Sequence, residues 1–157
     1  MQIFLFCFCN LKSLKFIWIK AHVNMMEDFW EKIRLRLSKY SHPVGNPQGC
    51  VEYRGQVPRQ GGGYGIMKVK WPGSNAYKLE KAHRIAYMLH HRLTSSTILR
   101  KNEWGESLEC SHICHMKTCI NPEHIVLETH TANQGRITCV SHNVCHSGNH
   151  SGPPCIL

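Results

Sequence analysis

Between Cys110 and Asn133 the chain reads CSHICHMKTCINPEHIVLETHTAN. Cys114, Cys119 and His124 follow one another with four residues between neighbours. At that spacing a loop can fold around a zinc ion, because thiolate and imidazole are its usual ligands. Three ligands do not close a tetrahedral structural site, so a fourth must come from elsewhere. Cys110 is local, Cys50 is distant and isolated ahead of a strand-like run, and His115 is a spare. Two further residues are not needed to hold the metal. His112 stands two residues before Cys114, and Asn133 stands nine after His124. That surplus points to chemistry rather than to structure alone.

A second cluster follows: Cys139, His142, Cys145, His146, His150 and Cys155. Four of the six suffice for a second tetrahedral site. Cys139, Cys145, His150 and Cys155 form an evenly spread set, and His142 or His146 could replace His150. This tail has too few apolar residues to fold by burial, so zinc binding would supply its folding free energy, on the order of 10 kcal/mol.

The elements that must position these residues begin with a helix from about Met25 to Tyr40. Asn24 is its expected cap, with Glu27 completing a box-like signature. Met26, Phe29, Trp30, Ile33, Leu37 and Tyr40 share one face at helical spacing. After a Pro/Gly-rich stretch come three strand-like runs: Val51 to Gly55, Tyr64 to Trp71, and Asn75 to Leu79. Gly61-Gly62-Gly63 and Pro72-Gly73 punctuate them as turns. In the middle run Met67, Val69 and Trp71 share one face of the pleat, while Ile66, Lys68 and Lys70 share the other. With Arg54 from the first run, Lys68 and Lys70 would form a basic ribbon fitted to a DNA groove. A second helix is expected from Lys78 to His91, with Ala82, Ile85, Ala86 and Leu89 as its apolar stripe. Thr94 to Glu109 reads as a polar loop.

The 157 residues bound the chain to one domain with a tail. A net charge of +9 and a pI near 9.2 favour a polyanionic partner, most often nucleic acid. Six of the nine cysteines fall between Cys110 and Cys155, interleaved with histidines. A disulfide framework has no use for interleaved histidines, so the pattern reads as zinc in a reducing compartment. No apolar run is long enough to span a membrane. Residues 1–24 are set apart as a tail, a targeting segment or a non-native start. Its apolar run Ile3 to Cys9 lacks the basic lead and the cleavage site of a secretory signal.

At SHICHxxxCINPEHIVLExxxxN the chain resembles the His-Cys box homing endonucleases and their zinc-loop relatives. These belong to the ββα-metal, or His-Me finger, nucleases. The likeness is specific from Cys110 to Arg136 and looser through Cys155. Upstream it is carried by Cys50 before a strand and by the Tyr64-Gly65 to Lys70 strand. It implies an α+β, zinc-stabilised ββα-metal nuclease fold with a small antiparallel sheet, few helices and two structural zinc sites. Residues 25–157 would form the nuclease domain, with a front helix and DNA-facing sheet over 25–93 and a zinc and catalytic core over 108–157. His112 would be the general base, and Asn133 the ligand of one catalytic Mg²⁺. Cys50, Cys114, Cys119 and His124 would hold the first zinc, and Cys139, Cys145, His150 and Cys155 the second.

The resemblance further implies that His112 sits on a strand and Ile125 to Glu128 on a returning one. A short helix around Thr131 to Arg136 would then present Asn133. Family members bring an arginine to the scissile phosphate. That position falls near Ser74, where no arginine stands, leaving Lys68, Lys70, Arg84 or Arg136 to substitute. The expected partners are double-stranded DNA and a second copy of the chain, and the expected location is the nucleus. Two other readings compete with the Mg²⁺-dependent endonuclease. One is a non-catalytic DNA-binding module on the same scaffold, the other a zinc-organised protein adaptor.

Overall fold

The computed structural model describes residues 11–60, 62–145, 148 and 150–157, and the side chains of residue 19 and of those from 21 onward. The apolar run Ile3 to Cys9, Gly61 and His146 lie outside the described residues.

Helix α1 spans Leu11–Lys39. It begins well before Met25, and Asn24 lies inside it rather than capping it. No glycine or proline interrupts residues 11–39, so nothing stops the helix at Asn24. Its core face is the one read from the periodicity: Trp30, Ile33 and Leu37 are buried, with Met26 and Phe29 packed against the same core. Tyr40 leaves the helix and meets Tyr53 edge-on, with ring centroids 5.9 Å apart.

Three two-stranded antiparallel pairs follow instead of one ribbon. Strand β1 (Ser41–Pro43) pairs with β2 (Val51–Tyr53), β3 (Ile66–Val69) with β4 (Lys78–Lys81), and β5 (Leu108–His112) with β6 (Ile125–Thr129). Arg54 follows β2 and so belongs to a different pair from Lys68 and Lys70. Lys78–Lys81 is strand, not the first turn of the second helix. Its sequence, KLEK, has no aversion to helix, but it completes the hydrogen-bond ladder that β3 otherwise lacks, a case of tertiary pairing overriding propensity. Helix α2 therefore runs only over Ala82–His90. Its buried face holds Ala82, Ile85, Ala86 and also Met88, while Leu89 is only partly buried.

The core lies where α1 and α2 meet the front strands. Phe29, Trp30 and Trp71 cluster with ring centroids 4.9 to 6.1 Å apart. Val69, Ile85 and Met88 are fully enclosed. Helix α3 spans His130–His142 and closes the order β5, loop, β6, α3. It is longer than the short helix expected around Thr131 to Arg136. Thr129 caps its start by accepting from the Ala132 N–H at 3.2 Å. Among the described residues, no helix is long and apolar enough to cross a membrane.

Glycine is needed at Gly65 for lack of space rather than for backbone angle. The buried Tyr53 ring lies against both Gly55 and Gly65, where any Cβ would overlap it, and its hydroxyl donates to the Ile66 carbonyl at 3.1 Å. Gly45 has open space around its α-carbon. Gly65→Ala should therefore destabilise the fold by about 1–3 kcal/mol through overpacking. Gly45→Ala should be neutral or stabilising by up to about 1 kcal/mol. Urea denaturation of the two variants beside the wild type checks both signs.

Candidate metal centres and active site

The loop between β5 and β6 is tied to β2 by backbone bonds. The Tyr53 N–H donates to the Thr118 carbonyl at 2.9 Å, and the Ile120 N–H donates to the Val51 carbonyl at 2.8 Å. This seam carries Cys50, which immediately precedes β2, to the loop cysteines. Cys50, Cys114, Cys119 and His124 present one ligand atom each, all within 4.8 Å of one another. The Nδ1 of His124 stands 3.6 Å from the sulfurs of both Cys50 and Cys119. A tetrahedral zinc with bonds of about 2.3 Å to sulfur and about 2.0 Å to nitrogen sets such edges at about 3.6 Å. The donor chemistry and the spacing both fit zinc.

The surroundings favour thiolate at Cys119 and the protonated thiol at Cys114. The Cys114 thiol donates to the Cys119 sulfur, and the backbone N–H groups of Asn121 and Val51 point to it as well. Together they draw the Cys119 pKa down to about 4. Cys110 is not part of the cluster. It packs against the apolar core, and burial pushes its thiol up to about 11. His115 also stands apart, in a left-handed conformation at φ 59°, with a buried Nε2 that has no hydrogen-bond partner among the described residues.

Cys139, Cys145, His150 and Cys155 form the second cluster, again with all ligand atoms within 4.8 Å. His150 Nε2 lies 3.4 Å from the Cys145 sulfur and 3.5 Å from that of Cys155. Its Nδ1–H donates to the Ser151 carbonyl at 3.3 Å, which fixes the tautomer that turns Nε2 toward the sulfurs. His142 is directed elsewhere, to the Thr138 carbonyl at 2.9 Å. A buried network joins this cluster to the hairpin. Arg136 Nε lies 2.8 Å from Glu128 Oε1, and its Nη1 donates to the Pro153 carbonyl at 2.8 Å and reaches the Cys155 sulfur at 3.6 Å. Ser111 donates to the same glutamate. Arg136, 1% exposed, is thus committed to the interior and cannot serve a phosphate.

His112 ends β5 and is buried. Its Nε2 lies 2.8 Å from the Cys119 carbonyl. A carbonyl only accepts, so Nε2 carries the proton and Nδ1 keeps its lone pair. Burial lowers the His112 pKa below the ordinary histidine value, which favours the neutral imidazole. Tyr64 stacks on it with planes 14° apart, and His83 of α2 meets it edge-on at 4.6 Å. Burial also holds His83 well below the usual pKa, and its Nε2–H donates to the Cys110 carbonyl at 3.2 Å.

Asn133 lies on α3 and its Nδ2 donates to Glu109 Oε1 at 2.7 Å. Glu109 stands on β5, the strand of His112, so one strand supports both side chains, although the two do not hydrogen-bond each other. Among the described residues no hydrogen bond takes up Asn133 Oδ1, the end of the amide turned away from Glu109. A neutral amide oxygen of this kind suits a hard, hydrated cation such as Mg²⁺, which takes few protein ligands.

The cations are distributed by pairing and register. Arg54 lies 2.7 Å from the Glu52 carboxylate, and Arg84 lies 3.6 Å from Glu80. On the β3–β4 hairpin, Lys68 and Leu79 face each other, as do Ile66 and Lys81, so Lys68 and Lys81 share the outer face. Lys70 is exposed just beyond β3. Lys81 Nζ sits 4.5 Å above the Tyr64 ring and Lys117 Nζ 6.0 Å from it. The sequence reading missed Tyr64, His83, Lys81, Lys117 and Glu109 as neighbours of the site. The Tyr64-Gly65 to Lys70 pattern was the one signal that touched them.

Two Cys/His centres around a strand–loop–strand–helix unit define a zinc-stabilised α+β protein. Residues 50–156 match the family described as the zinc-binding loop region of homing endonuclease, and the chain belongs to that family. A comparison with curated proteins returns no match.

Elemental analysis of the purified protein should give two zinc ions per chain. Cys50→Ser should leave one and unfold at lower denaturant, whereas Cys110→Ser should keep both. Arg136→Met leaves the Glu128 carboxylate buried without its partner and should cost about 3–5 kcal/mol, read by thermal unfolding.

Proposed function

We propose that the protein is a DNA endonuclease that hydrolyses phosphodiester bonds with His112 as general base. The observation that carries this reading is the hydrogen bond from His112 Nε2 to the Cys119 carbonyl. It fixes the ring beside the first metal cluster and leaves Nδ1 as the basic atom.

In the proposed reaction His112 Nδ1 takes a proton from a water molecule as the water oxygen bonds to phosphorus. The bond from phosphorus to the 3′ oxygen breaks, and that oxygen leaves with a proton from solvent. The products are a 5′ phosphate and a 3′ hydroxyl. A divalent cation, Mg²⁺ on this reading, would be held by Asn133 Oδ1 with phosphate oxygens and would offset the charge that develops there. The zinc clusters take no part in bond breaking. They hold β5, β6 and α3 so that His112 and Asn133 keep their relative positions.

The duplex is approached through charge. Lys81 and Lys117, gathered over the Tyr64 ring, stand beside His112, and Lys68 shares the outer face of the β3–β4 hairpin with Lys81. Lys68 and Lys70 serve as DNA contacts, while Arg54, paired with Glu52, contributes less. With Arg84 and Arg136 engaged by carboxylates, Lys81 is the cation placed to take the role of the family's arginine. Such contacts make affinity fall steeply with salt. One active site per chain cuts one strand, so a double-strand break calls for a homodimer.

The test is cleavage of supercoiled plasmid by the zinc-loaded protein, with Mg²⁺ or with EDTA added just before assay. Mg²⁺-dependent nicking or linearisation is expected. His112→Ala and Asn133→Ala should each lower the rate by about 10²–10⁴-fold, with zinc content unchanged at both centres. DNA retardation without cleavage in the wild type would instead identify a non-catalytic DNA-binding module.

A further inference from the structure

The amide of Asn133 has two ends of opposite use to a cation. Its oxygen can ligate; its nitrogen carries two protons and cannot. An unrestrained asparagine presents either end. Here Glu109 decides between them. Its Oε1 accepts from Asn133 Nδ2 at 2.7 Å, and a carboxylate can only accept, so the nitrogen is held toward Glu109 and Oδ1 is turned away from it. The same Oε1 lies 3.1 Å from His130 Nδ1, while Oε2 has no hydrogen-bond partner among the described residues.

We propose that Glu109 is a positioning residue for the divalent cation, orienting the Asn133 amide so that its oxygen faces the ion. The inference rests on the nuclease reading of His112 and Asn133. Two contributions are involved, and they separate chemically. The hydrogen bond fixes which end of the amide is presented. The negative charge raises the local concentration of a cation. The side chain of Glu109 is 40% exposed, so it reaches solvent from which an ion can enter. Neither contribution belongs to the zinc clusters, because Glu109 is not among the ligands of either. Glutamine at this position would keep an oxygen that can accept from Asn133 while losing the charge. Alanine would lose both.

The experiment uses the full, zinc-loaded chain as wild type, Glu109→Ala and Glu109→Gln. The first readout is plasmid cleavage as a function of Mg²⁺ concentration. The second is broadening of the Asn133 side-chain NH₂ signal by added Mn²⁺ in nitrogen–proton correlation spectra, which reads cation binding without catalysis. Removing an outer partner of a metal ligand typically costs about 10–100-fold in affinity. Glu109→Ala should therefore raise both the half-saturating Mg²⁺ and the Mn²⁺ needed for broadening by that factor. Glu109→Gln should fall between it and wild type, with zinc content unchanged at both centres. Should Glu109→Ala lose zinc, Glu109→Gln decides by the same two readouts. The proposal is overturned if the variants respond to Mg²⁺ and Mn²⁺ as wild type does, or if Mn²⁺ leaves the Asn133 signal of the wild type untouched. A wild type that binds Mn²⁺ at Asn133 yet cuts no DNA would sink the nuclease reading and leave the role of Glu109 standing.

Discussion

Cys119 is the residue on which the rest of the site depends. Its sulfur belongs to the first metal cluster. Its carbonyl accepts from His112. Its backbone forms a bridge with Glu52, beside the hydrogen bonds that sew the loop to β2. Metal, front strands and the buried imidazole are therefore coupled through one peptide unit. A chain of this length buries a modest core, and most of it lies between α1, α2 and the front strands. The β5–β6 loop has little apolar surface to set against its conformational entropy. A tetrahedral zinc site supplies free energy on the order of 10 kcal/mol where burial cannot.

The second cluster solves the same problem for the tail by a different route. Its ligands are spread from α3 to Cys155, and the span would be loose but for Arg136. That guanidinium bonds Glu128 on β6 and the Pro153 carbonyl, and it reaches the Cys155 sulfur. A buried ion pair is weak evidence for stability, since desolvation offsets much of the attraction. Its value here is geometric: it fixes the distance between the hairpin and the tail. Removing either partner leaves a charge in an interior that water does not reach.

Electrostatics divides the surface around His112 into two regions. Lys81 and Lys117 supply one cationic side, with the Tyr64 ring holding both ammonium groups near the buried imidazole. Glu109 faces Asn133 and His130 on the other. Burial lowers the His112 pKa and so favours its neutral form.

The amino-acid sequence by itself determined the ligand types and their spacing, and with them the two clusters. Zinc selects for thiolate and imidazole at short separations, and that chemistry is local enough to be read in a line. It also determined the apolar face of α1 and the inward side of β3, because periods of two and 3.6 residues are local properties too, while the strand, loop, strand and helix order around His112 was legible through the resemblance of its motif to a known family. What only the tertiary structure decided are matters of pairing between distant segments. Which cysteine completes the first cluster depends on the seam that brings β2 to the loop, more than sixty residues away in sequence. Lys78–Lys81 became strand because β3 needed a partner, and Asn24 lost its capping role because no breaker precedes it. Arg54, Arg84 and Arg136 read alike as free cations in the sequence, yet each meets a carboxylate in the fold. Glu109 carried no signal at all. Its contact with Asn133 exists only because α3 packs across β5, and packing across elements leaves no period in the chain.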